Sequence, residues 1–123
     1  MDQKTTVADI KNRISRFNQE RDWEQYHQPK DLIMALQEEL GELSRCYLWV
    51  SEQEIKNIHK DPKKMNAIKE EMADVFIYLI SLANTVGVDI SEIINTKIDK
   101  NEQKYPAKKS KSEHTNVLLG RKR

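Results

Sequence analysis

The feature that most constrains this chain is an unbroken apolar stripe. Met65, Ile68, Met72, Val75, Leu79, Leu82 and Val86 follow one another at alternating steps of three and four. A strand repeats every two residues and a helix every 3.6, so this spacing predicts one long helix with a single apolar face. Its ends are marked as well. Asp61-Pro62 supplies an N-cap followed by a proline at the first helical position, and Gly87 supplies a C-cap. A helix with one apolar face has to lay it against other elements.

The rest of the chain offers helices to meet it. Thr6 to Arg21 carries Val7, Ile10, Ile14 and Phe17 at helical steps, and Asp31 to Leu48 carries Leu32, Leu36, Leu40, Leu43 and Tyr47. Asp89 and Glu92 form a start resembling a capping box for a further helix with Ile90, Ile93, Ile94 and Ile98, ending before Pro106. Asp22 to Lys30 reads as a connection, and residues 50–60 are polar and ambiguous. Strand alternation and solenoid-length repeats are missing from the sequence. The three Gly and three Pro suit long helices with few turns. The expectation is an all-α, four-helix bundle with short connections.

Charge divides the chain more sharply than the net value of +1 suggests. Residues 106–123 hold six Lys/Arg and one Glu, whereas the preceding 105 hold 15 Lys/Arg and 19 Asp/Glu. We therefore expect a folded domain over residues 1–106 and a basic, flexible tail over 107–123. The tail suits weak, salt-sensitive contact with nucleic acid, but the acidic body argues against a specific nucleic-acid partner. With 37% hydrophobic residues in periodic array, the chain is too apolar for disorder. The single cysteine, Cys46, excludes an internal disulfide framework and is expected to pack on its helix. No apolar run reaches the length of a membrane span and the N-terminus lacks a signal-peptide pattern, so the expected setting is cytoplasmic, away from membranes. A domain this small buries limited surface, which favours an oligomer.

The chemistry-bearing pattern lies beside the apolar stripes. At about 100° per residue, with Leu36 as the origin, Leu40, Leu43 and Tyr47 cluster within about 40° of it. Glu39 and Glu42 then form an i, i+3 pair along one edge, while Glu38 points away. On the long helix, Glu71 and Asp74 form a second such pair, with Tyr78 one turn further on the same side and Glu70 turned away. If the two helices pack antiparallel, four carboxylates converge. Unpaired charges brought together in a folded domain are costly, so a cation is called for. Hard divalent ions such as Mg²⁺ and Mn²⁺ prefer oxygen ligands, and Mg²⁺ commonly binds together with substrate phosphates. The plain alternative is that both pairs are solvated helix faces.

The segments Glu38-Glu39-Leu-Gly-Glu42 and Glu71-Met-Ala-Asp74 resemble the EExxE…ExxD signature of the MazG-like, all-α nucleoside triphosphate pyrophosphohydrolases. RDWEQYHQPKDL at 21–32, Leu48-Trp49, DVFIYLISLA at 74–83 and KIDKNEQKYP at 97–106 are similar to the dCTP pyrophosphatase branch. The resemblance implies cleavage of a (deoxy)nucleoside triphosphate, dCTP or a modified dNTP, between its α- and β-phosphates, giving a monophosphate and pyrophosphate. It also implies Mg²⁺ as cofactor with Mn²⁺ able to substitute, a homodimer or homotetramer, and a role in clearing unwanted nucleotides. By matching position, Glu39, Glu42, Glu71 and Asp74 are the expected metal ligands and catalytic residues. Glu38 matches the general signature but not the dCTP-type sequences, and stays unassigned.

Other residues suit a nucleotide. Trp23 and Trp49 bracket the acidic helix, and aromatic faces stack on bases at about 1–3 kcal/mol each. Both could equally be packing anchors. His27 is a candidate for hydrogen bonding to base or sugar, and Tyr78 for binding a phosphate or orienting a carboxylate. Lys97, Asn101 and Lys104 share a helix face, and with Tyr105 they are candidates to hold the triphosphate.

Two other classes compete. A di-iron bundle needs Glu-x-x-His on two helices; only Glu24-x-x-His27 fits, since neither His59 nor His114 has a Glu three residues before it. A non-catalytic helical self-association module is the remaining alternative. It predicts no dependence on divalent metal.

Overall fold

The computed structural model describes residues 1–111 of the 123. The described residues are helical and contain no strand. In chain order they form α1 (Val7–Glu20), a 3-10 turn (Trp23–Tyr26), α2 (Pro29–Arg45), α3 (Glu52–Lys60), α4 (Pro62–Val86), α5 (Ile90–Lys104) and the short α6 (Ala107–Ser110). The expected four helices are all present as α1, α2, α4 and α5, and the all-α class stands. Among the described residues, no single helix is long and apolar enough to cross a membrane.

The helix starts follow the local chemistry. Thr6 Oγ1 accepts from the Asp9 N–H at 3.0 Å, while Asp9 Oδ2 accepts from the Thr6 N–H at 2.9 Å, closing a capping box on α1. Asp61 Oδ1 accepts from the Lys63 and Lys64 N–H groups at 3.0 and 3.3 Å and starts α4 with Pro62 behind it. Gly87 ends α4 in the left-handed region, at φ 74°, where a side chain would be strained.

Four expectations shift. Within residues 50–60, Glu52–Lys60 form the helix α3, capped by Ser51, whose Oγ accepts from the Glu54 N–H at 3.2 Å. The connection 22–30 is partly ordered: it holds the 3-10 turn, and α2 begins at Pro29 rather than Asp31. Helix α2 ends at Arg45, three residues before the expected Leu48. Of the tail expected over 107–123, residues 107–110 form α6, and its remainder from 112 lies outside the described residues.

The chain divides after Gly87 into two compact units. In the first, α4 packs most extensively on α2 and then on α1 and α3. Leu32 of α2 and Ile68 of α4 are each only 2% exposed, joined in the core by Ile14 and Ala83. That core is small. Among the described residues four apolar side chains are buried, against nineteen large hydrophobics that stay exposed. The second unit carries α5, whose Ile93, Ile94 and Ile98 are about half exposed.

Candidate active site

The packing of α2 on α4 brings their acidic edges together. One carboxylate oxygen from each of Glu39, Glu42 and Glu71 lies within 4.8 Å of the other two. Glu39 and Glu71 are half-buried and Glu42 is exposed. The Oε2 atoms of Glu39 and Glu71 are buried and meet no hydrogen-bond donor. Buried acceptors without a donor are rare in native proteins, and here there are two, on adjacent helices.

The electrostatics point the same way. Burial, followed by the charges of Glu42 and Asp74, pushes the Glu39 carboxyl above its ordinary value. Glu71 is pushed up first by its hydrogen bond to Glu42, then by burial and by the charges of Glu42, Glu39 and Asp74. Carboxylates that crowd one another this way favour either protons or a cation between them. Asp74 is exposed on the next turn of α4. Its charge is felt by both partners, but it stands outside the close group of three. Three hard oxygen donors without His or Cys fit a divalent cation of the Mg²⁺ or Mn²⁺ type, not a softer metal.

The other candidates are more dispersed. Tyr78 is half-buried on α4, one turn beyond Asp74. Trp23 opens the 3-10 turn and meets Phe17 edge-on, at 5.6 Å between ring centroids, while the Arg21 guanidinium lies 3.7 Å from the centre of the Phe17 ring. Trp49 is 92% exposed and sits in the left-handed region at φ 62°. It is therefore not a core anchor of its own chain, and it follows α2 on the turn that leads to α3. Lys97, Asn101 and Lys104 lie on α5, in the second unit. Tyr105 caps that helix, with Lys104 Nζ 5.3 Å from its ring centre.

Sequence reasoning missed a second polar feature of the first unit. A cleft of about 230 Å³ lies where α1, the 3-10 turn and α4 meet, lined by Asn18, Glu24, His27, Ser81, Asn84 and Thr85 among others. Asn18 Nδ2 donates to Ser81 Oγ at 3.3 Å, and Asn84 Nδ2 donates to the Lys11 carbonyl at 3.1 Å. A signal was present: Asn18 stands four residues after Ile14 on the buried side of α1, where an apolar residue would continue the stripe. Also unread was the contact of Tyr47 Oη with His59 Nε2 at 2.9 Å, which ties the turn after α2 to α3.

A helical fold that gathers acidic residues of two adjacent helices around one point defines a class, and the chain belongs to it: it is a member of the MazG-like family, whose profile matches residues 35–117. It is similar to dCTP pyrophosphatase 1 of Mus musculus, with 43% identity over 101 residues that span 82% of this chain and 59% of that protein. It is likewise similar to dCTP pyrophosphatase 1 of Homo sapiens, 39% identical over 107 residues, 87% of this chain and 63% of that protein. The chain thus spans about three fifths of the length of these relatives. Among solved structures, a pyrophosphatase from Archaeoglobus fulgidus superposes with a TM-score of 0.75 at 32% identity, covering 81% of this chain and 92% of that one.

Proposed function

We propose that the chain is a Mg²⁺-dependent nucleoside triphosphate pyrophosphohydrolase that converts dCTP, or a modified dNTP, to the monophosphate and pyrophosphate. The observation that carries this reading is the trio Glu39, Glu42 and Glu71, with two buried oxygens that lack any donor. The similarity to proteins named dCTP pyrophosphatase 1 supports the substrate class. Residues 1–106 serve as the catalytic domain and 107–123 as a basic appendage.

In this reading Glu39, Glu42 and Glu71 hold the cation, and Asp74 adds a fourth acid from the next turn of α4. When bound, the ion neutralises the triphosphate, polarises its phosphoryl oxygens and lowers the pKa of an attacking water. The chain's own part is to fix the donors on two packed helices, so that they are in place before substrate arrives. Tyr78, on the same edge of α4, is placed to orient a carboxylate or a phosphate. Trp23, Trp49 and His27 serve the base or sugar, and Lys97, Asn101, Lys104 and Tyr105 the phosphates. The working unit is a homodimer or homotetramer.

The test is a pyrophosphate-release assay over the common dNTPs and rNTPs with and without Mg²⁺. Metal-dependent release of pyrophosphate together with a monophosphate is expected. No release from any nucleotide would reduce the acidic trio to a cation site without turnover.

A further inference from the structure

We propose that Tyr47 and His59 are positioning residues: their contact braces the turn between α2 and α3 and so holds the Trp49 ring in place for the nucleotide. This rests on the pyrophosphohydrolase reading above, in which Trp49 serves the base or sugar.

The turn after α2 is strained at an exposed tryptophan. The Leu48 N–H donates to the Ser44 carbonyl at 2.9 Å, and the Val50 N–H then closes on the Tyr47 carbonyl at 3.1 Å. Leu48 and Trp49 are the central residues of this last turn. Trp49 takes φ 62°, at a turn position where positive φ favours Gly or Asn. A bulky side chain is strained there. The same ring is 92% exposed, so no packing within the chain offsets the strain. A glycine would relieve it. A strained tryptophan that faces solvent points to a ring kept for a contact outside its own core.

Strain of this kind persists only where the surroundings fix the backbone. Here α3 fixes it from both sides. Upstream, Tyr47 Oη meets His59 Nε2 at 2.9 Å, and the two rings stand edge-on with centroids 5.7 Å apart. Downstream, Ser51 Oγ accepts from the Glu54 N–H at 3.2 Å and donates to Glu54 Oε1 at 3.1 Å. His59 and Glu54 both belong to α3, which packs on α4. Helix α3 is therefore a strut that runs from the helix carrying Glu71 to each end of the Trp49 turn.

The Ser51 cap starts α3 whatever the turn does. The bond of Tyr47 to His59 is different, because it spans the turn and joins the end of α2 to the far end of α3. Glu42 lies in the last turn of α2, seven residues before Trp49, about 10 Å at a helical rise. The turn starts where the cation site ends, so freedom in it is freedom of the ring relative to the phosphates. Ordering a mobile ring on substrate weakens binding and leaves the chemistry at the metal untouched. Loss of the brace therefore belongs in KM rather than kcat.

Trp49 can report on itself. The chain has two tryptophans, so in a Trp23→Phe background the anisotropy decay of the fluorescence reads Trp49 alone, on the nanosecond scale. Tyr47→Phe, His59→Leu and His59→Gln would be made in the full chain, with that background for fluorescence and without it for pyrophosphate release from dCTP with Mg²⁺. Phe keeps the ring of Tyr47 and removes only the hydroxyl. Gln keeps an amide that reaches the hydroxyl. Tyr47→Phe and His59→Leu are expected to increase the fast, local part of the decay by about twofold and to raise KM by about three- to tenfold, with kcat within about twofold. His59→Gln should stay near the unsubstituted chain on both readouts. A contact that only stabilises α3 would lower the melting temperature and leave both readouts alone. Trp49 equally restrained in Tyr47→Phe and His59→Leu would overturn the brace. A Gln variant as loose as Leu would overturn the hydrogen bond as its basis. A looser ring with KM unchanged would overturn the positioning role. An unsubstituted chain silent on every nucleotide would overturn the pyrophosphohydrolase reading and with it any use of the ring for a nucleotide, while the anisotropy would still decide the brace.

Discussion

Glu39 and Glu71 each bury an oxygen that no donor reaches, and their behaviour without metal should reveal what the site is for. Replacing Glu71 by Gln removes one charge from a repelling group and one hard ligand from a cation. Metal-dependent pyrophosphate release is expected to fall at least about a hundredfold. The helical circular-dichroism signal should persist, and the metal-free melting temperature should not drop. A variant that still turned over at the wild-type rate would remove Glu71 from the ligand set. The same crowding gives a pH signature. Both carboxyls are held above their ordinary value of 4.5 in the folded chain. The folded state therefore binds more protons than the unfolded one in the window that opens near 4.5 and extends above the raised values. Metal-free stability should fall as pH rises through that window, and saturating Mg²⁺ should flatten the slope. Thermal melts across pH, with and without the ion, check this; a stability that rises with pH over the same range would contradict it. The trio was legible in the sequence because i, i+3 carboxylates sit on the same helix edge whatever the surroundings. The place of Asn18 after Ile14 was a signal for a buried polar residue, but its meeting with Ser81 was not legible, because that depends on how α1 packs on α4.

At the scale of elements, α4 organises the first unit, and its N-terminus rests on one side chain. Asp61 accepts from two backbone N–H groups that would otherwise have no helical partner. Asp61→Ala should cost about 1 kcal/mol, read as a melting temperature lower by a few degrees, with Mg²⁺ affinity nearly unchanged because the acidic trio lies more than two turns further along. The long stripe of α4 announced that helix clearly. Helix α3 was unreadable for the opposite reason. Ser51 to Lys60 offers only Ile55 and Ile58 as apolar positions, too few to define a stripe. It forms because Ser51 caps it and because α4 provides a surface for those two half-buried isoleucines. The start of α2 was displaced by a similar effect. Pro29 is compatible with a first helical turn, so the helix begins there and the preceding turn closes as a 3-10 helix before it.

At the scale of the whole molecule, the balance of buried and exposed apolar surface bears on the working state. Met72 and Leu79 continue the stripe that buries Ile68, yet they are 45% and 48% exposed, and Phe76, four residues after Met72, is 57% exposed. Contiguous apolar faces of this kind on small domains mark contact with another protein surface. Under the homo-oligomer proposed above, the occupant is a second copy of this chain. Sedimentation should give a mass that is a multiple of 14.5 kDa, two- or fourfold. Leu79→Glu places a charge in the middle of that face, and burying it against a partner would be strongly unfavourable. The variant should sediment as a monomer. If residues from a second copy complete the nucleotide site, it should also lose pyrophosphate release while keeping the Mg²⁺ affinity set by Glu39, Glu42 and Glu71 within its own fold. A variant that stays assembled would place the interface elsewhere. A monomer that turns over at full rate would show that one chain, with its trio, is sufficient.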